Sequence, residues 1–177
     1  MRVKSIDPAI QLARFEALCK PRAGRTLVVG SRIYNGKEDR RQRYADAVGV
    51  DMLAGPGVDV VLDLEQEAPE GTFAHIECMS VLEHSKKPWL LAGNLLLALE
   101  DGGSLFVTVP FVWRVHGYPD DYWRFTTSGV RELFPGITWE QEAYVHADLT
   151  DAGQIGVLMN NQLPYFARTE VAMFGHK

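Results

Sequence analysis

Apolar and polar positions alternate along the chain in two rhythms, one helical and one strand-like. Asp7 followed by Pro8 predicts a helix start, with a capping carboxylate and proline at the first helical position. Ala9, Leu12, Ala13 and Ala17 then recur until Pro21 and Gly24 end it. Thr26–Val29 is a short apolar, β-branched run ending at Gly30, the form of a strand buried on both faces. The polar stretch NGKEDRRQRYADA predicts partial helix. Val48–Met52 and Val58–Leu64 are strand candidates that each end at or near an aspartate, and Phe73–Met79 is a fourth. Pro88 opens a helix with Leu91, Leu95 and Ala98 on one face, expected to close at Gly102-Gly103. Ser104–Pro110 is a fifth strand and Ser128–Phe134 a short helix broken by Pro135-Gly136. ITWEQEAYV and RTEVAMFGH read as two last strands around a long loop from Ala147 to Ala167.

Strands alternating with helical stretches predict one α/β domain with a mainly parallel sheet. It divides into an N-terminal helix (1–24), a sheet core (25–110), and a loop with the last strands (111–177). Between Asp51 and Asp59 there is no room for a crossover helix, which needs about a dozen residues. A bare loop and thinner helical cover are expected on that side.

Composition narrows the function. Of 177 residues, 46% are hydrophobic, enough for a real core. A net charge of −5 disfavours a phosphate-tracking nucleic-acid binder. Two cysteines, Cys19 and Cys78, give no disulfide framework and suit a reducing cytoplasm. No signal peptide is expected. The most apolar run, Trp89–Leu99, is too short for a bilayer, which needs about 20 residues, so no membrane partner is expected.

Ligands of an open parallel sheet bind beyond the carboxyl ends of its strands. This sequence places Gly30-Ser31 after the first strand, Asp51 at the second, Asp63-Leu64 at the third, and Met79-Ser80 then Glu83-His84 after the fourth. A glycine after the first strand lets backbone approach a ligand closely. A carboxylate about 20 residues on can accept from both ribose hydroxyls, and Asp51 lies 21 positions after Gly30. Asp63 can accept from an adenine amino group. An adenosine-containing cofactor follows. Each residue also has a plainer reading: Gly30 as a turn, Asp51 as a strand-end cap, Asp63 as the cap of the turn before Glu65-Gln66-Glu67.

After the fifth strand comes HGYPDDYWRF, His116–Phe125. Tyr118, Tyr122 and Trp123 can wall a pocket and favour a cation by their π faces, and His116 can take a proton near neutral pH. Tyr122 and Asp121 are weaker proton acceptors. Against this, Asp120 and Asp121 can cap a turn, Arg124 can pair with one of them, and Trp123 and Phe125 can be core. His75 and Glu77 share a strand face but lack a third partner, so no metal site is expected there; a hydrogen-bonded His at the sheet rim is the better reading. His84 reads as a helix-entry residue within reach of a cofactor. Arg40-Arg41-Gln42-Arg43 reads as a solvated helix face, and His146 and Asp148, after the sixth strand, as candidates to line the same pocket.

The ordered segments VVGSR, YADAVGVDMLAGPGVDVVLDLE, CMSVLEHSKKPW, LALEDGGSLFVTVPF and HGYPDDYWRFT resemble the class I S-adenosylmethionine-dependent methyltransferases. The resemblance is strongest to a small branch carrying PFxWxxHGxPxDYWRFT after its fifth strand, and it runs from Arg25 to Phe134. It implies a Rossmann-like seven-stranded sheet with an antiparallel last strand. It further implies S-adenosylmethionine as cofactor: Gly30 and Ser31 beside its methionine, Asp51 and Met52 at the ribose, Asp63 and Leu64 at the adenine, Ser80 near the sulfonium. The first motif departs from the family, reading VVGSRIY where Gly-x-Gly is usual, and Arg32 is the candidate for the cofactor carboxylate instead. The expected reaction is methyl transfer to a small-molecule acceptor, a sugar or other hydroxyl-bearing metabolite. The rivals are a cofactor- or partner-binding module without turnover and a NAD-dependent oxidoreductase, and thin cover on one sheet face leaves room for a homodimer.

Overall fold

The computed structural model describes residues 8–34, 36, 38–117, 120–147 and 167–177. Its elements are α1 (Pro8–Glu16), β1 (Thr26–Val29), β2 (Ala47–Asp51), β3 (Val60–Val61), β4 (Phe73–Met79), α2 (Pro88–Ala98), β5 (Leu99–Pro110), α3 (Thr127–Leu133), β6 (Thr138–Ala147) and β7 (Ala167–His176). The strands form one seven-stranded sheet in the order β3-β2-β1-β4-β5-β7-β6. β1 to β5 pair in parallel, and β7 enters antiparallel between β5 and β6, as the resemblance implied. The strand order reverses between β1 and β4, which opens a crevice beyond their carboxyl ends.

All four residues of β1 are buried, as a central parallel strand requires. Alternation sends Leu27, Val29, Val50, Ile76, Cys78, Val107 and Val109 to one face, where α2 and α3 cover them with Leu91, Leu95, Ala98, Val130 and Phe134. Burying a side chain such as Leu95, 1% exposed, stabilises the fold by about 1.5–3 kcal/mol. The other face has less helix over it. There α1 stacks Phe15 on Phe106, ring centroids 6.1 Å apart, beside Ala172 and Phe174. No described helix is long and apolar enough to cross a membrane, and Cys19 and Cys78 are both free thiols.

Several expectations change. Val58–Leu64 is a strand only at Val60–Val61. Asp59 accepts from the Gly49 N–H of β2 at 2.7 Å, and Asp63 from the Glu65 N–H two residues on at 2.9 Å, so side-chain bonds take the place of the ladder on both sides. The link from β2 to β3 is a bare loop, as expected. Helix α2 ends at Ala98, and Gly102-Gly103 lie inside β5 rather than closing the helix. Gly102 has φ 70°, and the register between β4 and β5 shifts beside it, between Phe73 and His75.

The segment before β2 is not a solvated helix face. It holds one 3-10 turn, Arg40–Arg43. From that turn Arg40 donates to both oxygens of Glu77, with Nη2 to Oε2 at 2.8 Å, and the Tyr44 hydroxyl donates to Oε2 at 2.6 Å. Glu77 is 1% exposed, and a buried carboxylate needs such partners; the pairing selects this irregular path over a helix. His75 shares the face of Glu77 but is buried within the sheet rather than at its rim. Its Nδ1 lies 3.0 Å from the Ser104 carbonyl, and burial pushes its pKa down to about 4. A cleft of about 170 Å³ opens beside this pair, lined by Glu16, Cys19, Arg40, Arg43 and Tyr44. It lies on the sheet face, and its charges are already paired. Asp7, Tyr118, Asp148 and most of the loop before β7 lie outside the described residues, as does the side chain of His146.

Candidate active site at the carboxyl edge of the sheet

The ends of β1 and β4 meet. Gly30 leaves β1 at φ 67°, and a Cβ there would lie 2.5 Å from Cγ2 of Val81, so only glycine fits without displacement. Ser80, one residue past β4, has φ 51° and is the one non-glycine residue with positive φ among the described residues. A left-handed conformation costs such a residue about 1–2 kcal/mol, and strain of this kind concentrates at functional sites. The Ser80 N–H is held by the Thr108 carbonyl at 2.9 Å.

Asp51 stands beside this junction. Its Oδ2 accepts from the Arg32 N–H at 3.2 Å and its Oδ1 from the Leu53 N–H at 3.0 Å. It therefore caps its strand end, yet a carboxylate offers about four lone-pair directions and two remain for a diol. Val61 pairs with Asp51 in register, and Asp63 follows two residues later, exposed. Met52 and Val61 are both more than half exposed and give an apolar surface beside the two aspartates. Leu64 turns its side chain into the core and its carbonyl to Asn94, so any contact with a nucleobase falls to its main chain. The Ser31 hydroxyl is aimed at Gly49, where a Cβ would lie 2.6 Å away, and the Arg32 side chain packs over Gly55. Both leave the junction; only the Arg32 backbone stays with Asp51.

A second group of residues flanks Ser80. A 3-10 turn, Leu82–His84, follows β4 and buries Glu83 completely. Neither Glu83 oxygen has a hydrogen-bond partner; its own backbone N–H is near enough to favour charge but does not bond. Burial first, then the Glu170 and Asp121 charges, push its pKa up to about 8 against the pull of Arg124. His84 Nε2 is 3.7 Å and His116 Nε2 4.0 Å from Glu83 Oε1, and the two rings meet edge to face with centroids 5.0 Å apart.

The aromatic loop is what brings His116 here. Asp121 accepts from the His116 backbone N–H at 2.8 Å and lies 3.0 Å from its Nδ1. Arg124 grips Asp121 through both terminal nitrogens and holds its carboxyl well below the usual range. Asp121 is thereby held ionised between the His116 backbone and Arg124. The Tyr122 N–H donates to the Glu83 carbonyl at 2.8 Å, pinning the loop to the turn, while its exposed hydroxyl donates to Asp120 at 2.7 Å, which raises its pKa. Trp123, partly exposed, donates Nε1–H to the Ser85 carbonyl at 2.9 Å, and Phe125 is core. Glu65 joins the two halves of the edge: two residues after Asp63, it accepts from the Ser85 hydroxyl at 2.8 Å and from the Lys86 N–H at 2.6 Å.

Sequence reasoning singled out His84 and His116 but missed Glu83 as their common neighbour. The signal was present: an acidic residue and a histidine directly after one strand, and a histidine directly after the next strand in the sheet.

No family model matches the sequence, and no curated protein matches it by sequence. Solved structures do match its shape. A methyltransferase from Mesorhizobium loti, S-adenosylmethionine-dependent, superposes with a TM-score of 0.64 at 13% identity, covering 94% of this chain and 97% of its own. The N-methyltransferase NodS from Bradyrhizobium japonicum with S-adenosylhomocysteine gives 0.61 at 12% identity, covering 94% and 84%. The 1,6-didemethyltoxoflavin N1-methyltransferase from Burkholderia thailandensis, holding that substrate and S-adenosylhomocysteine, gives 0.62 at 14% identity, covering 96% and 76%. The chain has the Rossmann-like fold of these S-adenosylmethionine-dependent methyltransferases.

Proposed function

We propose that this chain transfers a methyl group from S-adenosylmethionine to a hydroxyl of a small-molecule acceptor. The observation that carries the reading is the junction of Gly30, Ser80 and Val81, set between a carboxylate with free lone pairs and a cluster of ionisable groups. The cofactor, when bound, supplies an already activated methyl, so the protein's work is orientation and proton handling. Asp51 has capacity for a ribose diol, Met52, Val61 and Asp63 for an adenine, and the close backbone at Gly30 and Ser80 for the remainder. In the chain as it stands, His116 turns Nδ1 to the Arg114 carbonyl and the Asp121 carboxylate, which leaves Nε2 as the nitrogen available to an acceptor hydroxyl. The 1,6-didemethyltoxoflavin N1-methyltransferase of the same fold, solved with 1,6-didemethyltoxoflavin bound, supports a small-molecule acceptor.

Titration calorimetry tests the cofactor assignment. S-adenosylmethionine and S-adenosylhomocysteine bind and NAD does not. Asp51→Ala weakens both by about 10–100-fold, the worth of hydrogen bonds to a charged group. Transfer of labelled methyl into fractions of a small-molecule extract then tests turnover, and His116→Ala loses it while keeping cofactor affinity. NAD binding in place of S-adenosylmethionine overturns the reading. Cofactor binding with no transfer into any fraction leaves a binding module.

A further inference from the structure

We infer that Glu83, His84 and His116 form a site for one divalent first-row transition-metal ion, zinc being the best match to two imidazoles and a carboxylate. The inference deepens the proposed function and rests on it only for what the ion does; the site stands on side-chain geometry.

One ligand atom from each residue lies within 4.8 Å of the other two. Ligands about 2.0–2.2 Å from a tetrahedral zinc stand about 3.3–3.5 Å apart, so separations of 3.7 and 4.0 Å from Glu83 Oε1 close with shifts of side chains alone. At those separations the imidazoles are beyond hydrogen-bond reach of the carboxylate. The three groups face a common point without bonding to one another.

The tautomers agree. His84 Nδ1 lies 2.6 Å from the Asp120 carbonyl, and His116 Nδ1 lies 3.4 Å from the Arg114 carbonyl, its hydrogen-bond acceptor, and 3.0 Å from the Asp121 carboxylate. Each carbonyl places the Nδ1 proton and leaves Nε2, the nitrogen near Glu83 Oε1, with its lone pair free. A carbonyl or carboxylate behind the far nitrogen is the usual support of a metal-binding histidine. Arg124 and the Tyr122 N–H hold those supports in place before any ion arrives.

Glu83 supplies the independent sign. Among the described residues it is the one carboxylate with both oxygens buried and without a hydrogen-bond partner. The fold is able to satisfy a buried carboxylate, since Glu77, equally buried, receives Arg40 and Tyr44. At Glu83 it brings two imidazoles instead, neither of them within hydrogen-bond reach. A cation satisfies all three groups at once. With three protein ligands such an ion keeps an open position, and a hydroxyl bound there loses its proton to water more readily. In the loaded protein His116 is then a ligand, and the ion takes over the activation that its free Nε2 provides without one. The acceptor this favours is one with an oxygen donor.

The test uses the full chain, stripped with a chelator and titrated with zinc chloride by calorimetry and with cobalt(II) followed by visible absorption. Titration with S-adenosylhomocysteine runs in parallel. One zinc binds per chain; His84→Ala, His116→Ala and Glu83→Gln each weaken it by roughly 100-fold, while His176→Ala, away from the cluster, leaves it unchanged. Absence of saturable zinc binding, or binding undiminished in the His84 and His116 variants, overturns the site. Should those variants fail to fold, the wild-type cobalt spectrum decides: strong four- or five-coordinate bands support the site, and the weak absorption of the hydrated ion overturns it. Zinc binding without S-adenosylhomocysteine binding removes the methyltransferase reading and leaves the site standing; the converse removes only the site.

Discussion

Replacing Arg40 with methionine takes the cation away from a carboxylate that the sheet has already buried. Glu77 is 1% exposed, Arg40 bonds both its oxygens, and Tyr44 donates to one of them. Breaking a buried pair from one side costs about 3–5 kcal/mol, because the remaining charge is left without compensation. Two features pull the value toward the lower end. The Arg40 side chain is 21% exposed, so water already screens the pair in part, and the Tyr44 hydroxyl stays. Methionine also retains the apolar stem. The expected loss is about 3 kcal/mol. Unfolding entropy of about 2.1 cal/mol/K per residue gives roughly 0.4 kcal/mol/K for this chain, so Tm falls by about 8 °C. Urea unfolding followed by circular dichroism, with calorimetry for Tm, measures both numbers. Arg40→Met combined with Glu77→Gln recovers most of the loss, since the neutral amide no longer needs a cation and still meets Tyr44. A single variant within about 1 kcal/mol of wild type, or a double variant no better than the single, would refute the claim that Glu77 dictates the path between β1 and β2.

Three further outcomes follow from the carboxyl edge. In chelator, the folded chain holds a proton on Glu83 up to about pH 8, whereas an unfolded chain releases it near pH 4.5. That raised value stabilises the fold below pH 4.5 and is lost as pH rises through about 8, by up to about 5 kcal/mol. Glu83→Gln therefore gains several kcal/mol on wild type between about pH 5 and pH 8.5 in urea melts, and parallel curves would count against it. Gly30→Ala meets both φ 67° and Val81 at 2.5 Å, so it costs about 2 kcal/mol and weakens S-adenosylhomocysteine; Val81→Ala in the same chain restores part of the stability, and no loss in the single variant would contradict the close approach. Asp121→Asn lowers zinc affinity about 10–100-fold, measured by the same titration, and an unchanged affinity would end its assignment as the support of His116.

What the sequence made legible depended on whether the cause was local. The burial of Leu91, Leu95 and Ala98 was readable from helical spacing alone, and the strands from runs of valine, leucine and isoleucine. Val58–Leu64 misled because the same aspartates that look like polar positions of a strand bond to nearby backbone and end it. Arg40 misled for the opposite reason: its partner Glu77 lies 37 residues away, and nothing near either residue announces the pair. The antiparallel entry of β7 came from the resemblance rather than from any pattern. The Glu83, His84 and His116 cluster combines these cases. β4 and β5 are neighbours only because the crossover through α2 makes them so, and their carboxyl ends then share one edge. Residues a few places past consecutive parallel strands should be weighed together whatever their separation. Applied here, that rule joins Glu83, four positions past Met79, to His116, six past Pro110. Folding alone asks for no acid at position 83, where a buried apolar side chain would serve. An acid kept there without a hydrogen-bond partner, beside two imidazoles, is explained by an ion bound between them.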